Sequence, residues 1–232
     1  FIAKTPGLSH VAVSNFTKDR LVTLLGVPPS RVVVIPSGVD IRSFGGVDVK
    51  REFGRLIYFG RFMSHKHIEW LVEAFEHLVD CGFDLSLRIV GDGPMRETLK
   101  ERIRGLEDVE LLGPLPREAL IREIKTAWTA VIPSVREGQG ISYLEAMAAG
   151  TPVVAVDSPL SAVRQLIENG RNGLLAEPSP SGLVQCITSL LKDEGLWMRI
   201  GEEGRRSALR YSWDECASKF CELLEDGISG KS

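Results

Sequence analysis

The chain has 232 residues, 44% hydrophobic and 25% charged, with a formal net charge of −3. That length can bury a substantial core, as one large domain or one and a half small ones, while the mild acidity argues against a nucleic-acid-binding surface, which carries a basic excess. No apolar run approaches the ~20 residues that span a bilayer and no signal-peptide pattern is present. The cysteines, Cys81, Cys186, Cys216 and Cys221, lack metal-type pairing and read as reduced thiols of a cytoplasmic protein. The sequence begins at Phe1 and not at Met, so a fragment is expected.

Strand and helix signals alternate along the chain. Residues 10–13 and 31–35 read as short buried strands, with a helix over 15–25 between them. Residues 36–54 hold glycines and charges with little periodicity and read as a linker. From Arg55 the pattern is regular. A strand at 56–59 precedes a helix at 68–79, where Leu71, Val72, Phe75, Leu78 and Val79 recur at helical spacing. Strands at 85–90, 109–112, 130–132 and 153–156 precede helices at 95–104, 118–127, 141–149 and 162–168. A last strand is expected at 173–176, helices fill most of the remainder, and 213–224 is the last of them. Strands alternating with helices of this length imply βαβ units: an α/β fold with a Rossmann-like parallel sheet and helices on both faces. Ligands bind such sheets at the carboxyl ends of the strands.

The stretch from Ile132 to Val153 carries the most chemical information: Ile-Pro-Ser-Val-Arg-Glu-Gly-Gln-Gly-Ile-Ser-Tyr-Leu-Glu-Ala-Met-Ala-Ala-Gly-Thr-Pro-Val. A buried strand enters a loop with Glu137, Gly138 and Gly140. A helix then starts near Ile141, carries Glu145 one turn in, and stops at Gly150 before Pro152. The glycines let backbone N–H groups approach a ligand, and the helix N-terminus adds partial positive charge. The arrangement suits a phosphorylated ligand with hydroxyls for the two carboxylates to accept, and a nucleotide sugar has both. Upstream, Gly60-Arg61-Phe62-Met63-Ser64-His65-Lys66 follows a strand end, and Arg61 and Lys66 could converge on a diphosphate. Val90-Gly91-Asp92-Gly93-Pro94 is a strand–turn–helix with part of a dinucleotide-binding fingerprint, but Arg96 replaces the third glycine. Gly113-Pro114-Leu115 is another turn after a strand, and a plain βα turn is an equal reading of it. His10, His65, His67 and His77 form no metal set, and no Asp-x-Asp occurs to hold a divalent cation on a diphosphate. Metal independence is expected, with no cofactor.

Glu137 and Glu145, in their Pro-Ser-x-x-Glu-Gly-x-Gly and Glu-Ala-Met-Ala-Ala-Gly-Thr-Pro-Val-Val context, resemble the E-x7-E motif of family 4 retaining glycosyltransferases. The loop from Gly60 to Lys66, the Val-Gly-Asp-Gly-Pro turn and the Gly113 turn resemble segments of the same family. The resemblance implies the C-terminal half of a GT-B architecture, preceded by the tail of the N-terminal domain. It implies residues 1–40 as that tail, 41–54 as interdomain linker, 55–210 as the nucleotide-sugar-binding domain and 211–232 as a helix crossing back. It also implies transfer of a sugar from a nucleoside diphosphate sugar to a saccharide, lipid or other acceptor. Arg61 and Lys66 would neutralise the diphosphate, Glu137 would hold the donor sugar and Glu145 the ribose. Backbone groups of Gln139, Gly140 and Ile141 would contact sugar and phosphates, aided by Gly60 and Gly138. Gly91, Gly113 and Leu115 would lie beside the nucleoside.

The resemblance strains at particular positions. His67 stands where the family commonly has Gly, Gln139 where Phe is common, Ser37 where Asn precedes Gly-Val-Asp, and Trp128-Thr129 replaces Ala-Asp. Asp157-Ser158-Pro159-Leu160 lacks the usual glycines, and Gln165 replaces a frequent Glu. On this resemblance, most of the N-terminal GT-B domain that normally carries the acceptor site is expected to lie outside these residues. By itself the chain is expected to bind donor without turnover, and residues 1–25 and the helix after Trp213 are expected to expose apolar surface. The expected location is cytoplasmic, with peripheral association at the inner membrane face an option for the full-length protein. A non-catalytic nucleotide-sugar-binding subunit stays open as an alternative, and a nucleotide-sugar epimerase is a weaker one.

Overall fold

The computed structural model of the chain describes residues 8–228. A small unit comes first: β1 (His10–Ala12) and β2 (Val32–Val34) pair in parallel, joined by helix α1 (Asn15–Leu25). Ser14 caps α1 by accepting from the Thr17 N–H, and Gly26 ends it in the left-handed conformation at φ 65°. Ala12, Val27 and Val32 form a core of their own, with Leu21, Val22 and Val34 packed against it.

The larger unit is one six-stranded parallel sheet. Its strands are β3 (Glu52–Arg61), β4 (Ser86–Asp92), β5 (Val109–Leu112), β6 (Ala127–Ile132), β7 (Val153–Val156) and β8 (Leu174–Ala176), in the order β5-β4-β3-β6-β7-β8. Its central strands are apolar on both faces. Ile57, Phe59, Ala130, Ile132, Val153 and Ala155 enter one core, while Leu56, Tyr58, Val131, Val154 and Val156 enter the other. Period-two alternation between two apolar layers is what a sheet covered on both sides requires. Helices α2 (Ile41–Gly45), α5 (Arg117–Thr126), α6 (Ile141–Ala148) and α7 (Val163–Leu166) contribute to the first layer. Helices α3 (Ile68–Asp80), α4 (Arg96–Arg102), α8 (Pro180–Lys192) and α9 (Glu194–Ala208) contribute to the second. The chain direction of strand addition reverses between β3 and β6. In a doubly wound sheet that reversal opens a crevice at the carboxyl ends of the two strands, here at Arg61 and Ile132.

The α/β expectation holds, with local differences. The stretch 36–54, read as an aperiodic linker, contains α2 and the first residues of β3. Asp40 caps α2 from its side chain, Phe44 is buried, and the Lys125 ammonium donates to the carbonyls of Phe44 and Val47. Tertiary partners, not propensity, hold those five residues helical. Helix α7 is shorter than the expected 162–168 because the Asn172 side chain takes the Glu168 N–H at 2.8 Å, which a longer helix would need.

Two chain segments cross beside the crevice. The Val39 N–H donates to the Tyr211 carbonyl at 2.7 Å, and a β-carbon at Gly38 would lie 2.5 Å from Trp213 Cα. Helix α10 (Trp213–Ile228) follows, with Trp213, Phe220 and Leu224 exposed. Leu8, Val11, Leu24 and Leu25 are exposed at the other end, so both segments expected to carry apolar surface do. Residues 1–7 of that expectation lie outside the described residues. Among the described residues no helix is long and apolar enough to cross a membrane.

Candidate functional site

The two loops at the crevice meet over a cavity of about 630 Å³. Gly60, Arg61 and Lys66 line it from the β3 side, and Glu137, Gln139, Gly140 and Ile141 from the β6 side. The Tyr58 hydroxyl donates to the Arg61 carbonyl at 2.9 Å, which fixes the strand end. A short 3-10 turn, Ser64–Lys66, then brings Lys66 inward. His67 follows at φ 45°, a conformation L residues rarely adopt. This accounts for the place where glycine would be easier. The imidazole stacks on Trp70 with ring centroids 4.0 Å apart and shares a hydrogen bond with Glu69 at 3.1 Å, contacts that offset the strain.

Lys66 and Glu137 are paired directly, Nζ to Oε1 at 2.5 Å, with side chains only 17% and 14% exposed. Two charges assigned from the sequence to different parts of a ligand therefore form one unit across the crevice. Beside them, helix α6 begins at Gly140 with no side chain capping it, so its positive end faces the cavity. Gly140 sits at φ 96°, and a β-carbon there would fall 2.3 Å from the Tyr143 ring. No other residue type fits that turn. The Tyr143 hydroxyl is buried without a hydrogen-bond partner. Burial, and then the Glu137 carboxylate, push the pKa of both Tyr58 and Tyr143 above the ordinary phenol value, so both phenols stay neutral.

The remaining expected residues fall outside this cavity. Gly138 lines a neighbouring cavity of about 490 Å³ against α1, and its carbonyl accepts from the hydroxyls of Ser14 and Thr17. Glu145, one turn into α6, is salt-bridged to Arg117, whose guanidinium lies 5.2 Å from the Phe44 ring centroid. Gly113 and Leu115 lie on the turn leading into α5, whose first residue is that Arg117. Gly91, at φ 135°, is directly below the Gly60 carbonyl and allows the ends of β3 and β4 to close. Its visible role is backbone approach to backbone.

Several site residues escape a reading of the sequence. Arg117 places a cation in the first turn of a helix, where acidic residues are favoured, and that conflict is the one signal that it has a partner elsewhere. Tyr58 carries a hydroxyl within the apolar run Leu56–Phe59. Ser37 gives no signal; its backbone N–H and C=O are both bound by the Gln139 side chain.

His65 lies in the same loop, its pKa lowered by burial first, then by Lys66, with Glu137 opposing. A depressed histidine binds its proton more readily unfolded than folded. Stability from its neutral form is complete above the ordinary value of about 6.5 and declines as pH falls below it. The melting temperature of His65→Gln should therefore fall less than the parent's between pH 7.5 and pH 5. Parallel curves for the two proteins would refute the assignment.

Among the described residues no group of three or more His, Cys, Asp or Glu side chains could hold a metal ion. The cysteines are free; Cys81 and Cys221 are exposed, Cys216 is buried, and burial pushes the half-buried Cys186 thiol up to about 11.

With this geometry in view, the model of the family described as Glycosyl transferases group 1 matches residues 54–193. The chain belongs to the group 1 glycosyl transferases. Residues 9–43 match a second description, Glycosyltransferase Family 4. Among curated relatives, the phosphatidyl-myo-inositol mannosyltransferase of Mycobacterium leprae is 30% identical, across 94% of this chain and 59% of its own length. An uncharacterised glycosyltransferase of Methanocaldococcus jannaschii is 26% identical, across 93% of this chain and 59% of its own. The chain thus spans well under two thirds of each. Among solved structures, a glycosyltransferase from Rickettsia africae superposes with a TM-score of 0.84 at 23% identity, covering 96% of this chain and 64% of that one. Anabaena HepE in complex with UDP and glucose gives 0.81 at 22%, covering 93% and 62%. These likenesses establish the group 1 fold, an α/β Rossmann-like sheet of the GT-B kind.

Proposed function

We propose that this chain is the donor-binding part of a retaining glycosyltransferase that takes a sugar from a nucleoside diphosphate sugar without a metal ion. The observation that carries the reading is the Lys66–Glu137 pair under the uncapped start of α6, at the strand-order reversal. An anionic diphosphate would meet Lys66, Arg61 and the N–H groups of Gln139, Gly140 and Ile141. These neutralise charge as the glycosidic bond breaks, the role of prearranged donors aimed at a leaving group. Glu137 accepts from hydroxyls of the donor sugar. Glu145, held by Arg117, accepts from the ribose, with Gly91, Gly113 and Leu115 framing the nucleoside. No side chain of this chain is assigned as a covalent nucleophile.

Residues 1–40 would be the tail of an N-terminal domain, 41–54 the linker, 55–210 the donor domain and 211–232 the returning helix. The acceptor, a saccharide or a lipid, would be held largely by that N-terminal domain. HepE with UDP-glucose and the mycobacterial mannosyltransferase are relatives whose names fit this class. In the full-length protein a cytoplasmic location, peripheral to the inner membrane face, fits a lipid acceptor.

The test is binding of uridine, guanosine and adenosine diphosphates by thermal shift, since a ligand that binds only the native state raises its melting temperature. One of them should bind, equally with and without chelator. Glu145→Ala should weaken it by about 10- to 100-fold, as expected for a lost hydrogen bond to a charged group. Binding of none, a strict metal requirement, or an unchanged Glu145→Ala would each defeat the reading.

A further inference from the structure

Gln139 is buried, at 6% exposure. Its Oε1 accepts from the Ser37 N–H at 2.8 Å, and its Nε2 donates to the Ser37 carbonyl at 2.8 Å. One amide thus satisfies both polar groups of one backbone residue, which needs an acceptor and a donor on the same planar group. Ser37 belongs to the segment that crosses residues 211–213: Gly38 is pressed on Trp213 and Val39 is bonded to Tyr211. On its other side, Gln139 is followed by Gly140, at φ 96° in a conformation that suits glycine, and by the start of α6. The loop has further anchors, with Gly138 held by Ser14 and Thr17 and the Glu137 carbonyl by the Ala162 N–H. Of these contacts, the Gln139 amide is the one that reaches the crossing segment.

We infer that Gln139 is a positioning residue that couples the crossing segment to the phosphate-facing turn of the donor site, an inference that rests on the donor reading above. Held at Ser37, the turn keeps the N–H groups of Gly140 and Ile141 aimed into the cavity. Freed, it spreads over several conformations, and apparent affinity falls by the fraction that remains competent. Coupling of this kind is reciprocal. A diphosphate that orders the turn must also tighten the Ser37 hydrogen bonds.

The experiment compares the parent with Gln139→Ala and Gln139→Glu, using uridine, guanosine and adenosine diphosphates as probes. Gln139→Ala should lower the affinity for the diphosphate that binds by about tenfold, the order set by two neutral hydrogen bonds. Amide hydrogen exchange at Ser37 should slow when that diphosphate binds the parent, and should not respond in Gln139→Ala. Gln139→Glu separates positioning from mere space filling. An ionised carboxylate has two acceptors and repels the Ser37 carbonyl, whereas a protonated one supplies the required donor. Its affinity relative to the parent should be poor at pH 8 and recover towards pH 5. The other charged or titratable groups facing position 139, His65, Lys66, Glu137, Arg61 and Tyr58 around the cavity and Tyr211 at the crossing, are common to parent and variant, so the ratio at each pH reads the residue at 139. Equal affinity of parent and Gln139→Ala, or a Ser37 amide indifferent to bound nucleotide, would overturn the coupling while leaving donor binding intact. Failure of the parent to bind any of the three would instead overturn the donor reading. Loss of affinity with a ligand-free melting temperature within a degree or two of the parent's marks positioning and not unfolding.

Discussion

Gly91→Ala is expected to cost at least about 3 kcal/mol of folding stability, a large fraction of the roughly 5–15 kcal/mol typical of a domain. Two effects add. The residue sits at φ 135°, where an L side chain is strained by on the order of 1–3 kcal/mol. A β-carbon would also lie 2.0 Å from the Gly60 carbonyl oxygen. That neighbour is backbone in the paired strand β3, in register with Gly91 itself, so it cannot swing aside as a side chain could. Relief requires β3 and β4 to separate at the end that carries Arg61. Gly113→Ala is the control. It has an ordinary φ and nothing within 4 Å of a built β-carbon, so its stability should stay within about 0.5 kcal/mol of the parent. Urea unfolding of the two variants decides the matter, and equal midpoints would show that the close approach of the strands is not what Gly91 provides. If Gly113 lies beside the nucleobase, Gly113→Ala loses nucleotide affinity without losing stability.

The strands were legible because several are bounded by punctuation. Residues 153–156 are an apolar run, and 109–112 an apolar run interrupted only by Glu110, each between turn residues, and the structure has strands over both. Strand β3 was underestimated at its start because Glu52 and Phe53 are exposed and give no burial signal. They join the sheet through an irregular register with β6 between Glu52 and Leu56. Helix α2 was invisible for a related reason: its stability comes from Lys125, 81 residues from Phe44. The site shows the same division. Its loops could be placed from glycines and the pattern of flanking strands, which are local. Its pairings could not, since Lys66 and Glu137 are 71 residues apart, Gln139 and Ser37 102, and Arg117 and Glu145 28. Spacing alone names the charged residues, but which charge each will meet is settled by strand order.

Lys66→Ala should leave nucleotide binding weakened and lower turnover of the full-length enzyme by about 10²–10³, the range for removing one donor that stabilises developing negative charge. Lys66 is suited to this because burial limits its freedom: with 17% of its side chain exposed, it is already aimed into the crevice by Glu137. The same variant should lose on the order of 1–3 kcal/mol of stability. Removing one member of a fully buried pair costs more, and the partial exposure of both side chains reduces the figure. Stability and chemistry then need separating, because a partly unfolded enzyme is also slow. The double variant Lys66→Ala, Glu137→Gln does this, since it removes the stranded carboxylate and keeps its volume. In a double-mutant cycle the two changes should be strongly non-additive in stability, the second restoring much of what the first removed. In turnover no such recovery should occur on the proposed reading, because the double variant would lack both the cation for the leaving diphosphate and the carboxylate for the donor sugar. A double variant as stable as the parent and still inactive assigns the pair to the reaction. Turnover in Lys66→Ala within about threefold of the parent would mean that the diphosphate is neutralised elsewhere, with Arg61 and the start of α6 carrying the charge between them.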